Sequence, residues 1–282
     1  MKLLIMGAGG MAGHMLVNYF LQQGKHQIFY TTRDPRNTGG YVLDAADFCA
    51  AEKIVDTVKP DVIINAIGVL NHFAEQDQIN AYIINGILPH RLYLIAERIG
   101  ARLIHISTDC VFEGTRGGYH EGDKPDGTSV YALTKALGEV RAQGHLTIRT
   151  SIIGPEIRMQ GIGLMHWFMR QHGIVKGYRN VLWNGVTTLE LAKVIDAVIS
   201  SPISGLVHLA HQQPISKYDL LLLFQEIWNQ RYVTVVPSDM PILNRTLVST
   251  RSDWCHDVPH YRDMLKEMEQ WMRENSSASE SS

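Results

Sequence analysis

The sequence predicts an α/β protein in which a doubly wound parallel sheet comes first and a smaller C-terminal α/β lobe follows. Two observations predict this fold class. Short apolar runs alternate with segments of helical periodicity through the first half of the chain, as in successive βαβ units. Beyond residue 150 the alternation becomes irregular. We therefore expect a first domain over residues 1–155 and a smaller lobe over residues 156–274. Whether segments of the second half return to the first domain is left open.

Each element follows from its apolar periodicity and from the glycine or proline that ends it. Strands are predicted at residues 3–6, 27–31, 62–65, 103–107, 146–149, 207–209 and 233–236. Helices are predicted at residues 11–23, 50–58, 79–99 with a kink or restart at Pro89, 130–143, 161–171, 189–200, 216–230 and 263–274. The tail, residues 275–282, is almost entirely Ser, Ala and Glu. We expect it to be disordered, because it has too little apolar surface to pack.

Charge and composition exclude several functional classes. The 26 Lys and Arg residues nearly balance the 28 Asp and Glu residues, so neither nucleic acid nor a membrane surface is expected as a partner. The first apolar run ends at Gly7, and no later run is long enough to span a membrane. Cys49, Cys110 and Cys255 form no paired motif, which is typical of reduced thiols in a cytoplasmic protein. The histidines form no ligand cluster, so no metal site is predicted.

A glycine-rich turn joins the first predicted strand to the first predicted helix. It contains Gly7, Gly9, Gly10, Met11 and Gly13. Glycines at these positions allow a tight turn and a close approach of the backbone, and the N-terminus of the helix then offers free N–H groups to a pyrophosphate. A merely tight turn is the alternative. The position directly between a strand and a helix favours a Rossmann-type dinucleotide site.

The segment after the second strand indicates which dinucleotide binds. An NAD site usually has Asp or Glu there, to hold the ribose 2′-hydroxyl. This chain has Arg33, whose guanidinium suits a 2′-phosphate. Asp34 comes one position later and can instead pair with a neighbouring arginine. NADPH is therefore the expected cofactor, and NADH remains the alternative.

Proton-transfer chemistry is indicated by Tyr131 and Lys135, which are one turn apart on a predicted helix. A nearby cation favours the phenolate and lowers the pKa of a tyrosine toward neutral pH. Taken alone, the pair equally fits a solvated helix face. Thr108, however, ends a predicted strand, and open α/β sheets bind their ligands at the carboxyl ends of their strands. We therefore predict that Thr108, Tyr131 and Lys135 are catalytic.

Two further groups of residues belong to the predicted site. Asn65, Ala66 and Ile67 follow the strand at 62–65, and their small or apolar side chains give a cofactor a surface to lie against. Asn85 is polar within an otherwise apolar helix. It is predicted either to bind substrate or only to cap.

These motifs together resemble an extended short-chain dehydrogenase/reductase, and more narrowly the dTDP-4-dehydrorhamnose reductase group. The resemblance is carried by residues 107–114, which read Ser-Thr-Asp-Cys-Val-Phe-Glu-Gly, and by residues 130–139, which read Val-Tyr-Ala-Leu-Thr-Lys-Ala-Leu-Gly-Glu. Residues 148–151 extend it. The motifs are specific over residues 1–155 and sparse afterwards.

The resemblance implies a role for each matched position. Tyr131 would donate the proton, and Thr108 would bind the reacting carbonyl. Lys135 would adjust the pKa of Tyr131 and hold the nicotinamide ribose. Asp44 and the adjacent Ala45 would lie near the adenine, with Ala66 lining the cofactor cleft. In the second lobe, the nucleotide-sugar would be held by Trp183, Asn184 and Arg245.

Two departures from the pattern of that group leave open which sugar and which nucleotide base the substrate contains. Members of the rhamnose pathway usually have Tyr where this chain has Cys110, and their loop after Asn-Ala is usually acidic, unlike residues 69–75 here. The Ser-Thr-Asp-Cys-Val-Phe variant looks more like relatives that act on UDP-linked 4-keto-acetamido sugars.

The leading hypothesis is NADPH-dependent reduction of the 4-keto group of a nucleotide-activated deoxysugar, linked to dTDP or UDP. An NAD-dependent epimerase or dehydratase is the first alternative, although Arg33 and the Asp109-Cys110 pair argue against it. The second is a non-catalytic NADP-binding regulatory subunit, like the one of methionine adenosyltransferase in the same family. Retention of Thr108, Tyr131 and Lys135 argues against that. A homodimer is left open.

Overall fold

The computed structural model describes residues 1–157, 161–254 and 256–279. The strands are β1 (Lys2–Met6), β2 (Gln27–Thr32), β3 (Tyr41–Val42), β4 (Val62–Asn65), β5 (Arg102–Thr108), β6 (Leu146–Thr150), β7 (Ile152–Ile153), β8 (Gly173–Tyr178), β9 (Val181–Trp183), β10 (Val186–Thr187), β11 (Gly205–Leu209), β12 (Ile215–Ser216), β13 (Val233–Ser238) and β14 (Leu243–Asn244).

The α-helices are α1 (Met11–Gln23), α2 (Phe48–Val58), α3 (Asn71–Gln76), α4 (Gln78–Ala81), α5 (Leu88–Ile99), α6 (Val130–Leu137), α7 (Leu164–Phe168), α8 (Thr188–Val198), α9 (Lys217–Ile227) and α10 (Tyr261–Ser279). A π-helix (Tyr82–Ile87) joins α4 to α5, and a 3₁₀ turn (Asp109–Val111) follows β5. Within the described residues, no helix combines the length and the apolar character that crossing a bilayer requires.

Seven strands form the main sheet, in the order β11-β6-β5-β4-β1-β2-β3. Every neighbouring pair in it is parallel. The order reverses direction at β1, as in a doubly wound sheet. The predicted fold class is therefore confirmed.

Alternate residues of β1 enter two different cores, which explains why helices cover both faces of the sheet. Leu3 and Ile5 pack into one core with apolar residues of α1 and α8. Leu4 and Met6 pack into the other with residues of α2 and α5. Strands buried on both faces read as continuous apolar runs, and this is the pattern of the first strand in the sequence.

The second half of the chain builds a smaller lobe and also returns to the main sheet. Strand β11 pairs with β6 at the sheet edge, and α8 packs on α1. The lobe itself contains the parallel pair β8–β13 and the three strands β12-β9-β14, with α9 packed on β8 and β13.

Several predicted element bounds are corrected by the structure. The helix expected over 130–143 ends at Leu137, with Gly138 as its C-cap, and Gly138 packs against the Asn85 carbonyl with no room for a Cβ. The helix expected over 161–171 is limited to Leu164–Phe168. The restart expected at Pro89 is confirmed, since α5 begins at Leu88 with Pro89 in its first turn, directly after the π-helix.

The prediction of a disordered tail over 275–282 is wrong for residues 275–279. Helix α10 continues through them to Ser279. The helix is prolonged where the Asn275 side chain donates to the Trp271 carbonyl and accepts a hydrogen bond from Gln22 of α1. Residues 280–282 lie outside the described part of the chain.

Candidate active site

The carboxyl ends of four central strands meet at one edge of the main sheet. The register pairs Met6 of β1 with Asn65 of β4, Asn65 with His105 of β5, and Thr108 at the end of β5 with Thr150 of β6. The glycine turn, the loop after β4 and the Thr108 turn therefore lie side by side. Because parallel strands end together, this edge is where an α/β sheet binds its ligand.

The glycine turn has a backbone shape that only glycine supports at two positions. Gly7 has φ of 92°, in the left-handed region, and a Cβ on Gly13 would lie 2.1 Å from the Gly7 carbonyl oxygen. The Gly7 and Ala8 N–H groups donate to the side chain and backbone of Thr31, at 3.1 and 2.9 Å. The turn is thereby fixed against β2.

The residues of this turn fit a dinucleotide pyrophosphate. Gly10 is the N-cap of α1 and provides no side-chain cap to the first N–H groups of the helix. A Cβ built on Gly10 would meet nothing closer than 3.4 Å, so the glycine here leaves space beside the turn. Uncapped N–H groups, the positive end of the helix and open space are what an anion needs. Gly9 and Met11 are half-buried on either side of Gly10.

The loop after β4 lies directly against the glycine turn. A Cβ on Gly7 would touch Ile67, and the Ala66 carbonyl lies close to Gly10. Both Ala66 and Ile67 are half-buried. Asn65, by contrast, is fully buried; its Oδ1 accepts from the Ile67 N–H at 3.1 Å and its Nδ2 lies 3.1 Å from His105 Nδ1. Asn65 therefore fixes the shape of the loop that contains Ala66 and Ile67.

Arg33 is exposed directly after β2, and none of the described residues pairs with its guanidinium. Asp34 forms a two-pronged ion pair with Arg36, at 2.9 Å for both contacts, as expected from the sequence. The Arg36 hydrogen bonds lower the pKa of Asp34 to about 2. Asp34 is therefore engaged with Arg36, and Arg33 remains available to a ligand. Asp44, also exposed, accepts a hydrogen bond from the Ala46 N–H beside the buried Ala45.

The structure brings Thr108, Tyr131 and Lys135 together at the sheet edge. The Thr108 hydroxyl donates to Asp109 Oδ1 at 3.1 Å and accepts from the Cys110 N–H at 3.1 Å, and Tyr131 packs against Cys110. Lys135 donates to the Ile106 carbonyl of β5 at 2.8 Å. Ser129 caps α6 by accepting from the Ala132 N–H. Tyr131 and Lys135 therefore both lie on the side of α6 that faces β5.

The expected lowering of the Tyr131 pKa by Lys135 is wrong for this structure. Burial raises the pKa of Tyr131 well above its usual range, the nearby Cys110 and Asp109 raise it further, and only the Thr108 hydroxyl opposes them. The Lys135 ammonium is directed to the Ile106 carbonyl, and burial lowers the pKa of Lys135 to about 8. Tyr131 consequently keeps its proton at neutral pH, which is the state that a proton donor requires.

A buried ion pair supports the strand that ends at Thr108. Glu139 accepts from Ser107 Oγ at 2.9 Å and from Arg149 Nε and Nη2 at 2.8 and 2.6 Å. Arg149 also donates to His208 Nε2 at 2.9 Å. Burial alone would raise the pKa of Glu139, but the Arg149 and Ser107 hydrogen bonds lower it. The pair connects β5, β6 and β11 beneath the site.

The prediction that Asn85 binds substrate is corrected. Asn85 is fully buried, and its Oδ1 accepts from the Val69 N–H at 2.8 Å. Its Nδ2 donates to the Val69 carbonyl at 2.9 Å and to Thr134 Oγ1 at 3.1 Å. Every polar atom of the side chain has a partner inside the protein. Asn85 is thus a positioning residue that joins the loop after β4 to α6.

Asn184 is corrected for the same reason. Its side chain donates to the His211 and Leu247 carbonyls at 3.0 and 2.8 Å and accepts from the Leu247 N–H at 3.0 Å. It therefore holds two loops of the lobe together. Trp183 is nearly buried, with its indole N–H bonded to Ser151 Oγ at 2.9 Å.

Arg245, the third predicted substrate residue of the lobe, does reach the turn of residues 108–111, here named the catalytic turn for the role predicted for Thr108. Its Nη1 lies 3.6 Å from the Cys110 sulfur, and its Nε is buried without a hydrogen-bond partner. Burial raises the pKa of the adjacent Asp109, while the charges of Arg245 and Lys217 oppose that shift. Burial also raises the pKa of the Cys110 thiol to about 12.

Lys217 was missed from the sequence. It begins α9, far from the motifs along the chain, and only the fold brings it to Trp183 and the catalytic turn. Lys217 also lines a cavity of about 550 Å³ in the smaller lobe. The other walls of this cavity are largely apolar and aromatic and come from α7, β8 and α9, with Trp167, Ile174, Tyr178 and Leu221 among them.

The arrangement of the fold and the site defines the class of protein. A tyrosine and a lysine one turn apart on α6, facing a strand-end threonine beside a glycine turn, are typical of the oxidoreductases called extended short-chain dehydrogenases/reductases. Comparison with known proteins gives the particular family. The chain belongs to the family described as RmlD substrate binding domain, which matches residues 1–243.

Relatives and solved structures agree with this family. The chain is 28% identical over 229 residues to a dTDP-4-dehydrorhamnose reductase of Mycobacterium tuberculosis, covering 77% of this chain and 72% of the relative. It is 23% identical over 280 residues to methionine adenosyltransferase 2 subunit beta of Xenopus tropicalis, covering 90% and 78%. The structure of a Bacillus anthracis dTDP-4-dehydrorhamnose reductase in complex with NADP superposes with a TM-score of 0.81 at 19% identity, over 95% of this chain and 98% of that one.

Proposed function

We propose that this protein reduces the 4-keto group of a nucleotide-activated deoxysugar with NADPH. One observation carries the proposal: Tyr131 and Lys135 of α6 converge on the end of β5 beside the glycine turn, where Tyr131 packs against Cys110 and Lys135 donates to the Ile106 carbonyl, two residues to either side of Thr108. The hydroxyl groups of Thr108 and Tyr131 can then both reach a single carbonyl oxygen. The family and the names of its reductase relatives support the same chemistry.

Each residue has a defined task in this reaction. Thr108, whose hydroxyl donates to Asp109 Oδ1 in this structure, turns that proton to the 4-keto oxygen of the bound substrate and orients it. Tyr131, protonated at neutral pH because it is buried, gives its proton to that oxygen as negative charge develops there. Proton donation of this kind contributes roughly 10²- to 10⁴-fold to a rate. NADPH, when bound, supplies the hydride.

The cofactor would be held at the glycine turn and at the end of β2. We assign the pyrophosphate to the turn from Gly7 to Gly13 and the 2′-phosphate to Arg33. Asp44 and Ala45 lie on the adenine side, and Ala66 and Ile67 form the wall of the cleft. Lys135 would hold the nicotinamide ribose. The NADP-bound neighbour supports NADPH over NADH.

The substrate would lie between the Thr108 turn and the smaller lobe. We infer that the lobe cavity takes the nucleoside, because aromatic and aliphatic walls such as Trp167 and Tyr178 suit a base. Arg245 would contact the substrate next to Cys110. Both dTDP- and UDP-linked sugars remain candidates, and the names of the relatives favour dTDP.

The organisation of the chain is part of this proposal. Residues 1–155 would bind the cofactor and residues 156–274 the substrate, with β11 and α8 returning to the first unit. Exposed apolar side chains on adjacent helices, Leu94 on α5 and Leu133 and Leu137 on α6, support a homodimer formed through this face. Cys49 and Cys110 are free thiols, which supports a cytoplasmic location.

A panel of 4-keto nucleotide-sugars tests the proposal. The purified protein is incubated with NADPH and each substrate, and oxidation of NADPH is followed together with the mass of the sugar product. We expect one dTDP- or UDP-linked 4-keto sugar to gain two mass units per NADPH consumed. Tight NADPH binding without reduction of any member would instead support the regulatory alternative, which the methionine adenosyltransferase subunit represents.

A further inference from the structure

The side chain of Lys217 has an unusual set of neighbours. Its ammonium lies 4.9 Å from the centre of the Trp183 ring and faces Asp109 and Cys110 across the cleft. Lys217 is half-buried, and in the described part of the chain its ammonium has no hydrogen bond and no ion pair within 4 Å. An ammonium has three donors to satisfy. A cation held in this way is suited to an anionic ligand.

Lys217 lies between two regions that the proposed function uses. On one side it lines the lobe cavity, in which the base would pack against Trp167 and Tyr178. On the other side it faces Asp109, the residue that directly follows Thr108. A ligand that extends from the cavity to Thr108 would therefore come close to the Lys217 ammonium.

A nucleotide-sugar has a matching linear order. Its nucleoside is followed by a diphosphate, and the diphosphate by the sugar. With the nucleoside in the cavity and the sugar at Thr108 and Tyr131, the diphosphate comes to the position of Lys217. Building on the function proposed above, we propose that Lys217 is a substrate-binding residue that holds the diphosphate of the nucleotide-sugar.

Arg245 brings a second positive charge close to Cys110 and Asp109. Its Nη1 lies 3.6 Å from Cys110 Sγ, and its Nε is buried without a partner. Lys217 and Arg245 thus bring two positive charges to a region in which Asp109 is the acidic neighbour. A diphosphate diester carries two negative charges, and hydrogen bonds between charged groups are the strong ones.

The test measures binding rather than turnover. Dissociation constants of UDP, dTDP, uridine and thymidine are determined by calorimetry for the NADP-saturated protein and for Lys217→Met. We expect the variant to bind the tighter of the two nucleoside diphosphates about 10- to 100-fold more weakly, as for loss of a charged hydrogen bond. Binding of the corresponding nucleoside should change by less than about 3-fold, since it lacks the diphosphate.

Two further variants serve as controls. Lys217→Arg keeps the charge and should recover most of the affinity for the nucleoside diphosphate. Lys53→Met removes an exposed lysine of α2 that does not line the cavity and should leave both affinities within about 2-fold. Unchanged NADPH affinity and melting temperature show that each variant is folded.

Three outcomes would overturn the inference. Equal losses for nucleoside and nucleoside diphosphate would give Lys217 a role in shaping the cavity only. No loss for either ligand would remove Lys217 from the site. If the wild-type protein bound neither UDP nor dTDP, the site itself would be removed. Because no turnover is needed, Lys217-dependent diphosphate binding without reduction of any sugar would contradict the proposed function and leave this inference standing.

Discussion

The side-chain amide of Asn85 donates a hydrogen bond to Thr134 Oγ1 across 3.1 Å, and so fixes the helix of Tyr131 and Lys135 to the loop beside the glycine turn. The same amide group exchanges two hydrogen bonds with the backbone of Val69. Thr134 in turn donates to the Val130 carbonyl one turn earlier in α6. The cofactor side and the catalytic side of the cleft are thereby joined by one buried residue.

Replacing Asn85 with Ala should therefore destabilise the protein. The Val69 N–H and carbonyl would both lose their buried partner, at a cost of about 1–3 kcal/mol for each unsatisfied group. We expect the free energy of unfolding in urea to fall by about 2–5 kcal/mol, with a lower kcat because α6 is less firmly held. The exposed Gln78→Ala on α4 is the control. If Asn85→Ala were as stable as Gln78→Ala and raised only KM, Asn85 would be a substrate ligand after all.

Gly10 and Gly13 should respond differently to a single added methyl group. In Gly13→Ala the Cβ would meet the Gly7 carbonyl at 2.1 Å, so the turn must move and both stability and NADPH affinity should fall. In Gly10→Ala the nearest atom is 3.4 Å away. That variant should melt within a few degrees of the wild type but bind NADPH at least about 10-fold more weakly, because the methyl group occupies pyrophosphate space. Unchanged NADPH affinity in Gly10→Ala would place the pyrophosphate elsewhere.

Arg33 should determine the preference for NADPH. Arg33→Ala removes a charged hydrogen bond to the 2′-phosphate, with an expected loss of about 1.5–3 kcal/mol for NADPH and little change for NADH. Arg36→Ala is the matched control, because Arg36 is equally exposed but already paired with Asp34. Fluorescence titration with each cofactor makes the comparison. Equal losses for NADPH and NADH would exclude a contact between Arg33 and the 2′-phosphate.

Acid should destabilise the protein partly through Glu121. Burial alone would raise the pKa of Glu121, but hydrogen bonds from the Thr250 N–H and Ser249 Oγ outweigh it and lower the pKa to about 2. The folded state therefore binds fewer protons than the unfolded state between pH 4.5 and 2. The contribution to stability is complete above pH 4.5 and is lost as the pH falls toward 2.

The variant Glu121→Gln should accordingly be less stable at neutral pH but lose less of its remaining stability on acidification. Ser249→Ala, which removes one donor to Glu121, should have an intermediate pH dependence. Urea unfolding at a series of pH values measures both. A Glu121→Gln profile parallel to that of the wild type would show that Glu121 titrates alike in the folded and unfolded chains.

Local signals in the sequence predicted the parts of the site that are close together along the chain. The glycine turn between β1 and α1 depends on neighbouring residues, and Tyr131 and Lys135 share a face because they are one turn apart. The strands of the main sheet were likewise predicted as continuous apolar runs. These features depend on short-range geometry, which spacing along the sequence specifies.

The residues whose roles were misassigned or missed from the sequence owe those roles to contacts between distant parts of the chain. Asn85 and Asn184 have the polar side chains of ligands, but their partners Val69 and Leu247 become neighbours only in the folded chain. Lys217 belongs to no motif near Thr108 and comes near Asp109 only because α9 packs on β8, β9 and β13 in the folded chain. The Tyr131 pKa was misjudged because burial, which spacing does not reveal, raises it, and because the Lys135 ammonium is directed to the Ile106 carbonyl.

The most direct test of the account is the turnover rate of Tyr131→Phe on the 4-keto nucleotide-sugar that the wild type reduces. The substitution keeps the ring and removes the one proton that the phenol can give, while Tyr82→Phe, at an exposed position of the π-helix, is the control. We expect kcat to fall by roughly 10²- to 10⁴-fold in Tyr131→Phe, with NADPH affinity nearly unchanged. Near-normal turnover by Tyr131→Phe would mean that the proton comes from another group, and would contradict the assignment of the active site.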